Sequence, residues 1–230
     1  MALIKGKVQK DTSVSREAEG TDKIFRASAD GALVSMDWRT AMIEEGRGFA
    51  FSIGTLVTPA TGGGVGTIPD LNQPDAMVSV PSGTSIYVKR VHVSCYPGAI
   101  TADLDEYEIL VGIDKTNALS SGTPGTYSAN TALNLNTRHA RTSSCTCGSR
   151  WTVNTATATL DLELAHVIRV IDIDTVGIGT GWHYNTLGLE LVYEPLAMPK
   201  IVGPGKLLVY WGGTKPVLGY ATVEYFELPS

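Results

Sequence analysis

The sequence predicts an all-β protein: an antiparallel jelly-roll-like sandwich with an extended N-terminal arm and one short helix. We assign residues 1–45 to the arm and helix, and residues 46–230 to the β-sandwich domain. In the second region, short β-type runs alternate with Gly, Pro, Asn, Ser and Thr. Almost nothing has the apolar spacing of a long helix. The connections between runs are long, which favours a jelly roll over an up-and-down barrel.

The arm and the helix have different sequence signatures. Residues 1–30 mix charged side chains with Ser, Thr and Gly and offer little apolar surface to bury. Such a segment cannot offset its own ordering entropy, so we expect it to stay mobile until a partner binds it. The alternative is a terminus that is simply disordered and binds no partner. Asp37 is suited to be the N-cap of a short helix over 38–45, and Gly46 is suited to end that helix.

About ten strands are expected beyond the helix. The clearest are 48–57, 76–80, 84–95, 107–114, 151–164, 166–173, 186–193, 205–211 and 220–228. The run 166–173 is mostly apolar and is predicted to be buried on both faces. Only two residues follow 220–228, so this strand is predicted to lie at the edge of its sheet. The polar segment 115–150 is predicted to carry function or short hairpins, because structureless segments of that length are uncommon.

Composition excludes several classes of protein. A hydrophobic fraction of 43% is that of a folded chain, and 18% charged residues is a low value. A surface with so little charge suits a protein that partners cover. The net charge is -5 and the Lys and Arg residues are scattered, so no nucleic-acid binding is predicted. No apolar run is long enough for a membrane helix or a signal peptide, which predicts a protein made in a cytoplasm.

The cysteines and histidines do not have the spacing of metal ligands. Cys95 lies in an apolar run, and Cys145 and Cys147 form a CxC that lacks a second Cys or His pair. We therefore expect free thiols, no metal site and no cofactor. Of the four histidines, His92 and His166 fall in strand patterns and are expected to be hydrogen-bonded within a sheet.

No catalytic motif is present, and the chain is predicted not to be an enzyme. The Gly-rich segment 61–67 is not followed by Lys-Ser/Thr or by a helix, so it is not a phosphate-binding loop. Two carboxylate groupings leave a second interpretation open. Asp103 with Asp105 and Glu106, or Asp172 with Asp174, could bind a hard cation or act as acid and base, although charges of this kind more often face water.

One aromatic segment is a candidate contact site for a glycan or a protein partner. Trp182, His183, Tyr184 and Asn185 follow the Gly-rich run 177–181. Aromatic side chains presented on a loop suit sugar stacking or a protein interface. The alternative is a loop that folds back and covers one end of the sandwich.

Two parts of the chain resemble virion proteins of tailed bacteriophages. The first has DGALVSMDW at 30–38 and EGRGF at 45–49, and the second has VGPGKLLVY at 202–210 and YATVEYF at 220–226. The resemblance is to capsid cement or decoration proteins with a jelly-roll body. It implies a non-enzymatic homotrimer on the capsid surface of a virion. Such a trimer would bind the major capsid protein and stabilise the phage head, with the arm lying over neighbouring subunits.

Two other functions remain open at this stage. The first is a carbohydrate- or receptor-binding module of a phage tail or fibre, which would use 115–150 or 182–185. The second is an enzyme such as a glycosidase built on a β-sandwich, which would use the carboxylates of Asp103 and Asp105. Neither a nucleic acid nor a membrane is expected as a partner.

Overall fold

A computed structural model provides the structure of this protein. It describes residues 37–55, 57–63, 69–97, 105–118, 126–149, 158–171, 188–214 and 216–230. The predicted arm of residues 1–30 and the aromatic segment 182–185 lie outside the described residues.

The described residues form one helix and thirteen strands. The helix, α1, is Trp38–Glu44. The strands are β1 Gly48–Ile53, β2 Ala60–Thr61, β3 Ala76–Val80, β4 Thr84–Pro97, β5 Asp105–Asp114, β6 Ser128–Asn130, β7 Leu133–Asn134, β8 Thr146–Ser149, β9 Leu162–Ile171, β10 Leu189–Tyr193, β11 Lys200–Val202, β12 Gly205–Gly213 and β13 Val217–Pro229. The all-β class and the single short helix are confirmed.

The strands form two antiparallel sheets that pack as a sandwich. One sheet has the order β10-β4-β13-β1-β7, with β11 beside β4 and β2 beside β13, and the other has the order β6-β8-β3-β12-β5-β9. Eight of the described strands have five or more residues, and in chain order they are β1, β3, β4, β5, β9, β10, β12 and β13. The first of them, β1, pairs with the last, β13, and the second, β3, pairs with the next to last, β12. This winding, in which the early strands pair with the late ones across two sheets, is that of a jelly roll. The predicted jelly-roll-like sandwich is confirmed.

The core lies between the two sheets and is centred on β12 and β13. All nine residues of β12 are buried. The inner face of β12 enters the main core, which includes Trp211, Tyr107 and Phe49. Its outer face lies under a second, smaller cluster around Leu208 and Tyr210. Burial on both faces explains why β12 is apolar almost throughout.

The helix has the predicted cap and stop. The Asp37 carboxylate accepts a hydrogen bond from the Arg39 amide at 3.2 Å, as an N-cap side chain does. Gly46, with φ of 67°, continues the chain in a conformation that few other residues adopt. The helix packs on the outer face of the first sheet, where the Trp38 ring lies 5.4 Å from the Phe226 ring.

The predicted edge position of the last strand is wrong. β13 pairs with β4 along one side and with β1 along the other, so it lies inside its sheet. Val223 and Tyr225 are fully buried in the core. The position of a strand along the chain does not determine its place in a jelly roll, because the first and last strands pair with each other.

The predictions for 151–164 and 166–173 are wrong in two respects. The described part of this region is one strand, β9, which spans the break between the two predicted runs, while residues 158–161 are not in a strand. β9 is also not buried on both faces, since Ile168 and Val170 are 50% and 54% exposed. It pairs only with β5 among the described residues and is the last strand of its sheet. An apolar run alone does not distinguish a central strand from such an edge strand.

Two other predicted segments differ in their limits. The strand predicted over 48–57 ends at Ile53, because Gly54 has φ of 65° and turns the chain out of the sheet. The segment 115–150 contains the short strands β6, β7 and β8 in its described part, and these are not hairpins, because β6 pairs with β8 and β7 pairs with β1.

Residues 61–63 are the described part of the Gly-rich segment 61–67, and they contact β12. A Cβ atom on Gly62 would lie 2.2 Å from the carbonyl oxygen of Trp211, so only glycine fits there. The Gly63 amide donates to Asp75 Oδ1 at 2.6 Å, and the Trp211 amide donates to Asp75 Oδ2 at 2.7 Å. The buried Asp75 carboxyl therefore joins this segment to the second sheet, where burial raises its pKa.

Candidate functional site

One side of the sandwich carries half-exposed apolar side chains, which we call the apolar edge. Its members are Leu162, Ile168 and Val170 of β9 and Val192 of β10, each between 50% and 54% exposed. β9 and β10 are the outermost strands of their sheets at this side in the described structure, and they contact each other. The Arg169 side chain joins the two sheets here by donating to the Gly188 carbonyl at 2.6 Å.

The apolar edge is built for side-chain contacts and not for the addition of another strand. The register between β5 and β9 shifts at Val111 and Gly112, which leaves Leu164 as an extra residue in β9. Arg169 pairs in register with Tyr107, whose side chain is in the core, so β9 carries an inward-facing charge. Bulges and inward charges both hinder edge-to-edge strand pairing. A partner at this edge would therefore pack against Ile168 and Val170.

A hydrogen bond between a histidine and a buried glutamate lies beside the apolar edge. His166 Nε2 is 2.7 Å from Glu108 Oε2, and Glu108 is 1% exposed. His92 Nε2 is likewise 2.7 Å from Glu190 Oε1 on the first sheet. The prediction that His92 and His166 are hydrogen-bonded within their sheets is confirmed. Within the described residues, no group of three or more His, Cys, Asp and Glu is placed to hold a metal ion.

A second feature is a polar cleft of about 410 Å³ at one end of the sandwich. It lies where the turn between β3 and β4, the segment between β7 and β8, and the end of β13 meet. The cleft is lined by Arg47, Gly83, Thr84, Arg141, Ser144, Glu227, Leu228 and Pro229.

Glu227 organises one wall of the polar cleft. Its side chain is 2% exposed, and its Oε2 accepts hydrogen bonds from Ser143 Oγ at 2.7 Å and from the Ser144 amide at 3.0 Å. Its Oε1 lies 3.6 Å from Arg141 Nη2. Arg47 is 3% exposed in the same cleft, and its Nε donates to Glu45 at 2.9 Å. Burying charges costs several kcal/mol per ion unless partners satisfy them, so Glu227 depends on these contacts.

The three cysteines are free thiols, as predicted, and lie in or against the core. Cys147 Sγ is 3.7 Å from the Tyr225 hydroxyl, which also hydrogen-bonds to Ser143 Oγ at 2.8 Å. Burial raises the pKa of Cys147 to about 11 and that of Cys95 to about 12. The pKa of Cys145 is raised by burial and by the nearby Glu227 carboxylate.

We expect none of the three thiols to react rapidly in the folded protein at pH 7.5. A pKa near 11 leaves roughly 300-fold less thiolate than an unperturbed cysteine has, and the thiolate is the reactive form. Colour development with a disulfide reagent should therefore be slow in buffer, and complete within minutes in guanidinium chloride. Glutathione in the same buffer is the control. A native thiol that reacts as fast as glutathione would contradict the burial of these cysteines.

Most of the residues predicted as sites from the sequence lie outside the described residues. Trp182 to Asn185 lie outside the described residues, as do Asp103, Asp172 and Asp174. Asp105 is the first residue of β5. The cleft residues were missed because Arg47, Arg141 and Glu227 are far apart in the sequence. The only signal was that Arg141 lies in the 115–150 segment, which was predicted to carry function.

Comparisons of the chain with protein-family models, with curated proteins and with solved structures found no significant match. Of the helices in the described residues, none is long and apolar enough to cross a membrane.

Proposed function

We propose that this protein is a non-enzymatic structural subunit of a virion, a capsid cement or decoration protein that stabilises the phage head. In this proposal it acts as a homotrimer on the capsid surface, bound to the major capsid protein, after synthesis in the host cytoplasm. The resemblance of two sequence segments suggests the class of protein, and the jelly-roll sandwich is compatible with it.

The apolar edge is the observation that carries the assembly role. Ile168 and Val170 are half-exposed aliphatic side chains on the same face of the edge strand β9, and such apolar surface suits contact with another protein. A second copy of the chain is the proposed occupant, because closed symmetric assemblies of one chain are the commonest oligomers. In a closed ring, each apolar edge would be covered by the neighbouring protomer.

The test is the solution mass of the full chain by light scattering. We expect a trimer of 24.4 kDa chains for the wild type, and a monomer for Ile168→Glu, because a carboxylate at this position would be desolvated in the interface. Leu133→Glu is the matched control, since Leu133 is 68% exposed on β7, at the opposite edge of the first sheet. This control should remain trimeric.

Two results would count against the assembly role. One is a wild-type chain that stays monomeric at about 100 μM, a concentration at which a specific oligomer is expected to form. The other is an Ile168→Glu variant that remains trimeric, which would place the interface elsewhere. In both variants, circular dichroism should show the wild-type β spectrum, so that a loss of mass is not a loss of fold.

The second candidate is a carbohydrate- or receptor-binding module of a phage tail or fibre. The polar cleft favours this candidate, because Arg141 and Ser144 come from the 115–150 segment for which ligand binding was predicted. A monomeric chain that binds a glycan would favour this function over the capsid role.

A further inference from the structure

The polar cleft has the size and the mixture of groups found in small-ligand sites. Its volume of about 410 Å³ falls within the range of ligand pockets and is sufficient for a sugar ring. Its lining combines buried charged side chains with apolar surface. From these groups we propose that the cleft binds an acidic sugar, a hydroxylated ring that carries a carboxylate. This site goes beyond the proposed capsid role.

Arg141 is the residue that would bind the carboxylate. The charged side chains that line the cleft are Arg47, Arg141 and Glu227, two positive and one negative. The Arg141 side chain is 30% exposed, and its Nη2 lies 3.6 Å from Glu227 Oε1, beyond hydrogen-bond distance. A partly exposed arginine in a long-range ion pair can turn its planar fork toward an incoming carboxylate.

Glu227 and the end of β13 provide the contacts that a sugar ring requires. Glu227 Oε2 accepts from Ser143 and Ser144, and Oε1 lies at the longer distance of 3.6 Å from Arg141 Nη2. A carboxylate oxygen can accept more than one hydrogen bond, so Oε1 is the acceptor for a ring hydroxyl. Leu228 and Pro229 supply apolar surface against which the C–H face of the ring would pack. An inorganic anion would use none of this apolar surface.

The site is separate from the apolar edge. The cleft is built by Arg47, by the segment before β8, by the turn before β4 and by the end of β13, whereas the apolar edge belongs to β9 and β10. A failed trimer test would therefore leave the ligand site unaffected, and a failed ligand test would leave the assembly role unaffected.

Titration of the full chain with sodium glucuronate, followed by calorimetry or by amide chemical shifts, tests the site. We expect glucuronate to bind with a Kd of about 1 mM, a value usual for a single small ring. Glucose lacks the carboxylate and acetate lacks the ring, so each should bind at least about tenfold more weakly. Arg141→Ala should weaken glucuronate binding by about tenfold or more, because it removes charge-assisted hydrogen bonds.

Arg138→Ala is the matched control, because Arg138 is an exposed arginine of the same segment and does not line the cleft. It should bind glucuronate like the wild type. Arg141→Lys keeps the charge but loses the planar fork, and it carries the test if Arg141→Ala does not fold. Lack of glucuronate binding by the wild type would overturn the proposal. So would equal binding of glucose and glucuronate, or wild-type affinity in the folded Arg141 variant.

Discussion

Replacing Trp211 with alanine should lower the free energy of unfolding by about 4 kcal/mol, the usual cost of removing a fully buried tryptophan. Trp211 is 0% exposed and lies in β12, between the main core and the loop that contains Gly62. The alanine variant loses the apolar burial of the indole and leaves a cavity that the two sheets cannot close without moving. For a chain of this size, the melting temperature should fall by roughly 10 °C.

Trp38→Ala is the matched control for this prediction. Trp38 is 46% exposed and contacts Phe226 and Tyr87 on the outer face of the first sheet. Its removal should cost about 1.5 kcal/mol, as is typical of a partly buried aromatic contact. Trp211→Phe should retain most of the stability, because the indole Nε1 has no hydrogen-bond partner among the described residues. Equal losses for Trp211→Ala and Trp38→Ala in chemical denaturation would contradict the position of β12 at the centre of the core.

Replacing Glu227 with alanine should cost about 3 kcal/mol of unfolding free energy. The change leaves Ser143 Oγ and the Ser144 amide without their acceptor and the Arg141 guanidinium without its nearest carboxylate. Hydrogen bonds to a charged group are worth about 1.5–3 kcal/mol each, and relaxation of the segment 141–145 toward solvent recovers part of the loss. Thermal unfolding would measure the loss of stability, and limited proteolysis would measure the relaxation of the segment 141–145 toward solvent.

Glu224→Ala provides the comparison on the same strand. Glu224 lies 2.5 Å from Lys89 Nζ and 4.0 Å from Arg90 Nη1, and its side chain is 16% exposed. An ion pair that solvent reaches contributes about 1 kcal/mol or less. Both substitutions remove one negative charge, so the difference between their losses of unfolding free energy measures the effect of burial. If Glu224→Ala destabilises the protein as much as Glu227→Ala does, the cleft wall is not held by Glu227.

Local sequence patterns predicted those elements that depend on neighbouring residues. The Asp37 cap, the Gly46 stop, and the strands that became β3, β4 and β5 follow from capping chemistry and from alternation over a few residues. The hydrogen-bonded histidines His92 and His166 followed from the same reasoning, since a buried polar group in a strand pattern must be paired.

Placement within the sheets could not be predicted in this way. The sequence of β13 has the same alternation whether it lies inside a sheet or at an edge, and the apolar run of β9 resembles that of a central strand. Their positions depend on which distant strands pair, β1 and β4 with β13 and only β5 with β9 in the described structure. The pairing of distant strands is determined by burial of the whole core, and a stretch of a few residues does not contain that information.

The all-β class, the short helix and most strand positions could be predicted from sequence, because propensity and periodicity act over a few residues. Which residues form a site depends on the tertiary structure. Arg47, Arg141 and Glu227 carry no common motif and are brought together because β13 returns beside β1, so that the Glu227 amide bonds to the Arg47 carbonyl at 2.9 Å. The apolar edge likewise depends on the position of β9 and β10, which are the outermost strands of their sheets on the same side of the described structure.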